Sequence, residues 1–222
     1  MSIEVSTSVD DQVVSKKRVA DHGEVYTAKR EVDAMLELVK HEAERIESRF
    51  LEPACGTGNF LAEVLDRKLQ VVESRYSKSQ LEFEKYSVIA ASSIYGIDIL
   101  QDNVKTCQDR MFDVFNARYQ KLFKGKENLD CIRSVKFVLS KNIIWGDALS
   151  LQTADTPSKP IVFSEWSQIN SNIKRRDYSF HELVAQAAIQ ELPLFSDLGD
   201  EVFIPDPVKD YPMTNIFNIA DD

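Results

Sequence analysis

The chain has 222 residues, of which 43% are hydrophobic and 28% charged, and its formal net charge is −9. This is enough apolar material for one large domain, or for one domain with a tail. No run approaches the roughly 18 apolar residues that a membrane span needs. Residues 1–7 have no signal-peptide character, so we expect a soluble, cytoplasmic protein with no membrane partner. The three cysteines show no metal-ligand spacing, which predicts reduced thiols and no bound metal.

The negative charge is concentrated near the C-terminus. Residues 191–222 contain eight acidic residues and one lysine, and so carry seven of the nine net negative charges. The remainder is nearly neutral, which suits a subunit of a DNA-binding assembly better than a protein that grips DNA alone. The clearest basic group is Lys174-Arg175-Arg176. A solvated turn or a phosphate contact would explain it.

The periodicity predicts strands that alternate with helices. Residues 1–17 are polar and aperiodic, which indicates a flexible N-terminal arm. In chain order we predict a helix over 29–46, a short strand before residue 53, a helix from Gly58 or Asn59, a helix within 76–93, a strand over 94–99, a long helix from about Asp102, an apolar segment of ambiguous type at 135–139, and strands at 142–145 and 159–163. This alternation predicts an α/β fold with a mostly parallel sheet, arranged as a Rossmann-like three-layer sandwich.

A glycine-rich turn follows the first predicted strand. Residues 50–60 read Phe-Leu-Glu-Pro-Ala-Cys-Gly-Thr-Gly-Asn-Phe. Gly56 and Gly58 let the backbone turn sharply and approach a ligand, and the free amides of the next helix point to the same place. Asp98 and Asp147 follow the second and third strands, at the edge where parallel sheets bind ligands. The pattern therefore predicts a site for a nucleotide-like cofactor, although Asp98 could instead be a helix N-cap.

Residues 50–60 closely resemble the first motif of class I S-adenosylmethionine-dependent DNA methyltransferases. This resemblance implies that Asp98 accepts hydrogen bonds from the ribose hydroxyls, that Asp147 contacts the adenine amino group, and that Ile97 and Ile99 flank the adenine ring. The cofactor-binding residues that it implies are Tyr26, Thr27, Glu52, Pro53, Ala54, Gly56, Gly58, Asn59, Phe60, Asp98, Ile99, Asp147 and Ala148.

Residues 21–27, Asp-His-Gly-Glu-Val-Tyr-Thr, precede an amphipathic helix. They resemble the upstream motif that packs against the methionine end of the cofactor in DNA amino-methyltransferases. The resemblance makes Thr27 the contacting hydroxyl and Tyr26 part of the wall. Ala28 stands where the family commonly has proline, and alanine also tolerates a helix start. Without the family, Thr27 would be a helix N-cap.

One expected element is missing. Methyltransferases of this family carry an Asn- or Asp-Pro-Pro-aromatic tetrapeptide that holds the extruded base, whereas no two of the seven prolines here are adjacent. The local catalytic candidates are Glu165, as a proton acceptor, and Trp166, as a stacking ring. Trp166 could equally be a core or interface anchor.

The resemblance covers residues 18–170, the predicted S-adenosylmethionine-binding domain, and residues 171–222 are an acidic C-terminal docking segment. It implies the cofactor-binding subunit of a split adenine-specific DNA methyltransferase of restriction-modification type. A second subunit would supply the catalytic loop and target recognition, DNA would be bound through the complex, and the fold would be incomplete without the partner. Two alternatives stay open: an inactive methyltransferase-like scaffold, and a self-sufficient methyltransferase for a non-DNA substrate that uses Glu165 or Tyr178.

Overall fold

Seven α-helices and two β-sheets make up the described part of the chain, which is α/β. The computed structural model describes residues 27–190 and 206–221. The predicted N-terminal arm and Tyr26 lie outside these residues. The helices are α1 (Lys29–Leu38), α2 (Lys40–Ala43), α3 (Asn59–Tyr76), α4 (Gln80–Ser92), α5 (Gln101–Phe123), α6 (Leu129–Asn142) and α7 (Phe180–Gln190). The strands are β1 (Phe50–Glu52), β2 (Ile94–Asp98), β3 (Ile143–Asp147), β4 (Gln152–Thr153), β5 (Val162–Ile169), β6 (Asn172–Ser179), β7 (Lys209–Asp210) and β8 (Thr214–Asn215). None of these helices has the length and apolar character needed to cross a membrane.

The first sheet has the order β1-β2-β3-β4 and is mixed. Strands β1, β2 and β3 run parallel, as predicted, while β4 is antiparallel to β3. The register pairs Glu52 with Gly96 and Asp98 with Trp145. The carboxyl ends of the three parallel strands therefore meet at one edge of the sheet.

The prediction of a further parallel strand at 159–163 is wrong. Strand β5 begins at Val162 and belongs to a second, antiparallel sheet. A parallel return to the first sheet needs a crossover of a dozen or more residues, usually a helix. The segment 148–161 instead contains β4 and turns back, with Ile161 N–H donating to Leu151 O at 2.9 Å.

The first sheet is covered on both faces by different elements. Ile94 of β2 and Ile143 of β3 lie in the main core with the apolar sides of α3 to α6. Tyr95 and Ile97 of β2 pack in a smaller core with Phe163 of β5 and with Ile161 and Phe180. Since successive strand residues point to opposite faces, the nearly continuous apolar run of β2 reflects burial on both sides.

Most helix predictions are confirmed. Helix α3 begins at Asn59, and α4 and α5 lie within or near their predicted ranges. The predicted 29–46 helix is divided at Val39, whose φ of −116° and ψ of 28° end α1 before α2 begins. The ambiguous segment 135–139 lies inside α6, which begins after Asn128, whose side chain accepts from Asp130 N–H at 3.0 Å.

The second sheet is built on the β5–β6 hairpin. Asn170, with a φ of +58°, and Ser171 form its turn, so the predicted boundary at residue 170 falls within this hairpin. Strands β7 and β8 pair with β6. The basic triplet at 174–176 lies in β6, so the interpretation of a solvated turn is wrong. Arg175 is buried, and its Nη2 donates to Asp177 Oδ2 at 2.8 Å.

Candidate functional site

The glycine turn lies between β1 and α3, against β2 and α5. Cys55 N–H donates to Ile97 O at 2.9 Å, and Gly58 N–H donates to Cys55 O at 2.8 Å. Gly56 and Gly58 have φ values of +51° and +80°, in the region that favours glycine. A Cβ at Gly58 would also lie 2.6 Å from the Sγ of Cys107 on α5. Glycine is therefore required at position 58 both by conformation and by space.

The Asp98 carboxylate connects this turn to the start of α5. Its Oδ2 accepts from Gly56 N–H at 2.8 Å, while Oδ1 accepts from Leu100 N–H at 2.8 Å and from Asn103 Nδ2 at 3.2 Å. The N-cap position of α5 is Leu100, so Asp98 is not the N-cap. A carboxylate accepts about four hydrogen bonds. The side chain is therefore held in one orientation, with room for about one more donor at Oδ2.

Glu52 ends β1, and its side chain is partly buried. Its Oε2 is inaccessible to solvent and has no hydrogen-bond partner among the described residues. Burial, with a further contribution from the negative charge of Asp98, raises the pKa of Glu52 from 4.5 to about 7. An unpaired buried carboxylate is costly and is typical of binding and catalytic sites. A bound cationic group would relieve this cost.

Asp147 lies at the same edge of the sheet, at the end of β3. Its Oδ1 accepts from Leu149 N–H at 2.9 Å and its Oδ2 from Ser150 N–H at 3.3 Å. These hydrogen bonds, and chiefly the one from Leu149 N–H, hold the pKa of Asp147 below its usual value. Trp145 Nε1 donates to Ile99 O at 3.0 Å, which connects the segments after β2 and β3.

Two large aliphatic side chains near Asp147 are open to solvent. Ile99 is 54% exposed and Leu149 is 96% exposed. Ile97, by contrast, is fully buried in the smaller core, and Ala148 packs against that core. Of the two isoleucines expected beside an adenine ring, Ile99 is therefore the accessible one.

The remaining predicted cofactor residues lie beside the turn or just before α1. Asn59 Nδ2 donates to Thr27 O at 3.4 Å, which brings these two predicted residues together. The N-cap of α1 is Ala28, so Thr27 stands one residue before the cap position. Pro53 and Ala54 are exposed at the turn, and Phe60 packs against the main core.

The two catalytic candidates have other partners. Glu165 Oε1 accepts from Arg49 Nη2 at 2.7 Å. Trp166 is buried, and its Nε1 donates to Asn142 Oδ1 at 3.0 Å. No described contact joins Glu165 or Trp166 to Asp98 or to the glycine turn.

Three residues of α5 support the turn but were not predicted from the sequence. Asn103 binds Asp98, Cys107 lies under Gly58, and Arg110 contacts the Asn59 side chain through its Nη1. Their spacing of four and three residues places them on one helix face. This spacing, directly after Asp98, is a signal that could have identified them.

No family model matches the chain, and no curated protein or solved structure matches it either. The assignment of a function to this chain therefore rests on its own residues and their geometry.

Proposed function

We propose that this chain is the S-adenosylmethionine-binding subunit of a DNA methyltransferase that methylates the exocyclic amine of adenine. A partner chain would carry the Asn-Pro-Pro-aromatic loop and read the DNA. The observation that carries the proposal is the carboxyl end of β1, where the glycine turn, Glu52 and Asp98 adjoin. We further infer that the α/β arrangement is an incomplete Rossmann-like methyltransferase fold. This inference is supported by the parallel order of β1, β2 and β3 and by the acidic residue that ends each of them.

The residues fit the chemical groups of this cofactor. S-adenosylmethionine carries an ammonium and a sulfonium, and the unpartnered Oε2 of Glu52 suits a cation. The remaining acceptor site on Asp98 Oδ2 suits a ribose hydroxyl. Because Oδ1 already accepts two hydrogen bonds, the expected contact is to one hydroxyl rather than to both. The adenine would lie between Ile99 and Leu149, with its amino group donating to Asp147.

When bound, S-adenosylmethionine supplies an electrophilic methyl group that an amine can take directly. The residues of this chain contribute binding and orientation. Correct positioning of the reacting groups lowers the activation barrier of methyl transfer. Asp98, fixed by three donors, holds its acceptor oxygen in place before any ligand arrives. Deprotonated Glu52 would balance the positive charge of the ligand. The nucleophilic amine would be brought by the partner.

The test is calorimetric titration of the purified full-length chain with S-adenosylmethionine. Gly58→Ala is the informative variant, because its Cβ would meet Cys107 Sγ at 2.6 Å. Gly125→Ala is its matched control, since Gly125 has a φ of +79° and nothing within 4 Å of its Cβ position. Both variants carry similar backbone strain, of about 1 to 3 kcal/mol. We expect saturable binding that Gly58→Ala abolishes and Gly125→Ala retains.

Other outcomes separate the alternatives. Absence of binding, both by the isolated chain and with its partner, would contradict the proposal and leave the inactive scaffold. Methyl transfer by the isolated chain without DNA or partner would instead favour a self-sufficient enzyme, and Glu165→Gln would then be the variant to compare.

A further inference from the structure

Glu52 and Asp98 are neighbouring carboxyl groups without a basic partner. Parallel pairing places Glu52 opposite Gly96, two residues before Asp98. Burial and, to a smaller extent, the negative charge of Asp98 raise the pKa of Glu52, which requires the two carboxyl groups to lie close together. None of the ion pairs among the described residues includes either side chain. A positively charged group of a ligand would therefore be attracted to this place.

The two carboxyl groups differ in their hydrogen bonds. Asp98 accepts from three donors of the chain, all of them uncharged. Glu52 Oε2 accepts from none of the described residues and is inaccessible to solvent. A donor of the ligand could not reach this oxygen without a movement of the side chain. The attraction between opposite charges, in contrast, acts over several ångströms and needs no direct contact. Glu52 is therefore suited to a cation that donates no hydrogen bond.

The order of chemical groups in S-adenosylmethionine points to the same conclusion. Its sulfonium has no N–H or O–H and is bonded to the 5′ carbon of the ribose. Its ammonium is attached three carbons beyond the sulfur, on the side away from the ribose. If Asp98 accepts from a ribose hydroxyl, as proposed above, the carboxyl group beside it lies nearer to the sulfonium than to the ammonium.

We propose that Glu52 distinguishes the charged cofactor from its neutral product, through the attraction between its carboxylate and the sulfonium. This inference rests on the proposed function. In methyl transfer, the bond between sulfur and the methyl carbon breaks as the bond between this carbon and the amine nitrogen forms. The electron pair of the broken bond stays on sulfur, and the amine releases one proton to water. S-adenosylhomocysteine is therefore uncharged at sulfur, and Glu52 favours its replacement by a new cofactor molecule.

The test compares the calorimetric affinities of S-adenosylmethionine and S-adenosylhomocysteine for the purified full-length chain at pH 8. Glu52→Gln removes the charge and nearly keeps the shape of the side chain. We expect it to weaken binding of S-adenosylmethionine about tenfold, and binding of S-adenosylhomocysteine by less than about twofold. Asp147→Asn is the matched control. It removes a carboxylate at the same edge of the sheet that is proposed to contact the adenine, which both ligands contain, so both affinities should fall equally.

A second measurement at pH 5.5 uses the ionisation of Glu52. The titratable groups that interact with its carboxyl group are Asp98 on β2 and the Cys55 thiol of the turn. Because the pKa of Glu52 is about 7, the carboxyl group is protonated at pH 5.5. Wild type and Glu52→Gln should then bind S-adenosylmethionine with nearly equal affinity.

The possible outcomes separate this inference from the proposed function. An equal loss of affinity for both ligands in Glu52→Gln would assign Glu52 to the ammonium, which both ligands contain, and would overturn the inference. Unchanged binding of S-adenosylmethionine by Glu52→Gln at pH 8 would overturn it as well. In both cases the binding of cofactor by wild type still supports the proposed function. If wild type binds neither ligand, alone or with its partner, the proposed function and this inference are both wrong.

Discussion

Replacement of Glu52 by glutamine should change the pH dependence of stability. In the folded chain the pKa of Glu52 is raised from 4.5 to about 7, chiefly by burial. The folded state therefore binds a proton more tightly than the unfolded state. The free energy of unfolding falls as the pH rises from about 4.5 to about 7, and the cost of the buried charge is fully present above pH 7. The difference in pKa corresponds to a cost of about 3 kcal/mol.

Glutamine resembles the protonated acid and cannot ionise. We expect Glu52→Gln to be more stable than wild type by about 3 kcal/mol at pH 8, and by less than about 1 kcal/mol at pH 5. Urea denaturation at a series of pH values measures this difference. The matched control is Glu182→Gln, which replaces an exposed carboxylate on α7. A stability difference for Glu52→Gln that does not change between pH 5 and pH 8 would refute the assignment of a buried, unpaired carboxyl.

The same variant tests the role of Glu52 in ligand binding. If the carboxylate faces a cationic group, the affinity of wild type for S-adenosylmethionine should fall as the pH drops below about 7, because protonated Glu52 must lose its proton on binding. Glu52→Gln should bind more weakly at pH 8 and lose this pH dependence. Calorimetry in buffers of different ionisation enthalpy would detect the released proton. An unchanged affinity in Glu52→Gln would remove this residue from the site.

Three further predictions concern other polar contacts. Asp98→Ala should weaken cofactor binding by roughly 1 to 3 kcal/mol, and an unchanged calorimetric affinity would remove Asp98 from the site. Lys68→Met should lower the free energy of unfolding by about 3 kcal/mol or more, because the buried Nζ of Lys68 donates to three carbonyls in the segment 45–48 at 2.5 to 3.1 Å. Urea denaturation would show this loss. Tyr211→Phe should cost about 1 kcal/mol by removing the hydroxyl that donates to Asp177 Oδ2 at 3.1 Å, with faster hydrogen exchange in residues 206–216.

The sequence predicted the first half of the fold because its signals are local. The glycine turn, the helix that starts at Asn59 and the strand that ends at Asp98 each depend on residues within a few positions of one another. Parallel pairing of β1, β2 and β3 is then a consequence of the helices between them. The same reasoning failed after residue 148, because a short apolar segment shows its strand character but not its pairing partner.

Buried polar pairs were the other reason why predictions from the sequence were wrong. Arg175 appeared in the sequence as part of a basic surface triplet. In the structure it is buried because Asp177 and the Ser164 hydroxyl accept from its guanidinium, and the ring of Tyr211 lies 4.1 Å from its Cζ. Ser164 and Tyr211 are distant from Arg175 in the chain. No periodicity rule identifies such a partner, so sequence patterns place buried charges on the surface by default.

The contrast between two carboxylates supports the proposal that Glu52 binds a ligand. Glu84 is also buried, yet the Tyr119 hydroxyl contacts its Oε1 and Asn128 Nδ2 donates to its Oε2 at 3.2 Å. The chain can therefore satisfy both oxygens of a buried carboxylate with its own donors. At Glu52 the described residues leave Oε2 without any partner, beside the glycine turn. Substitution of Glu84 by alanine should accordingly reduce stability, whereas substitution of Glu52 should reduce ligand binding.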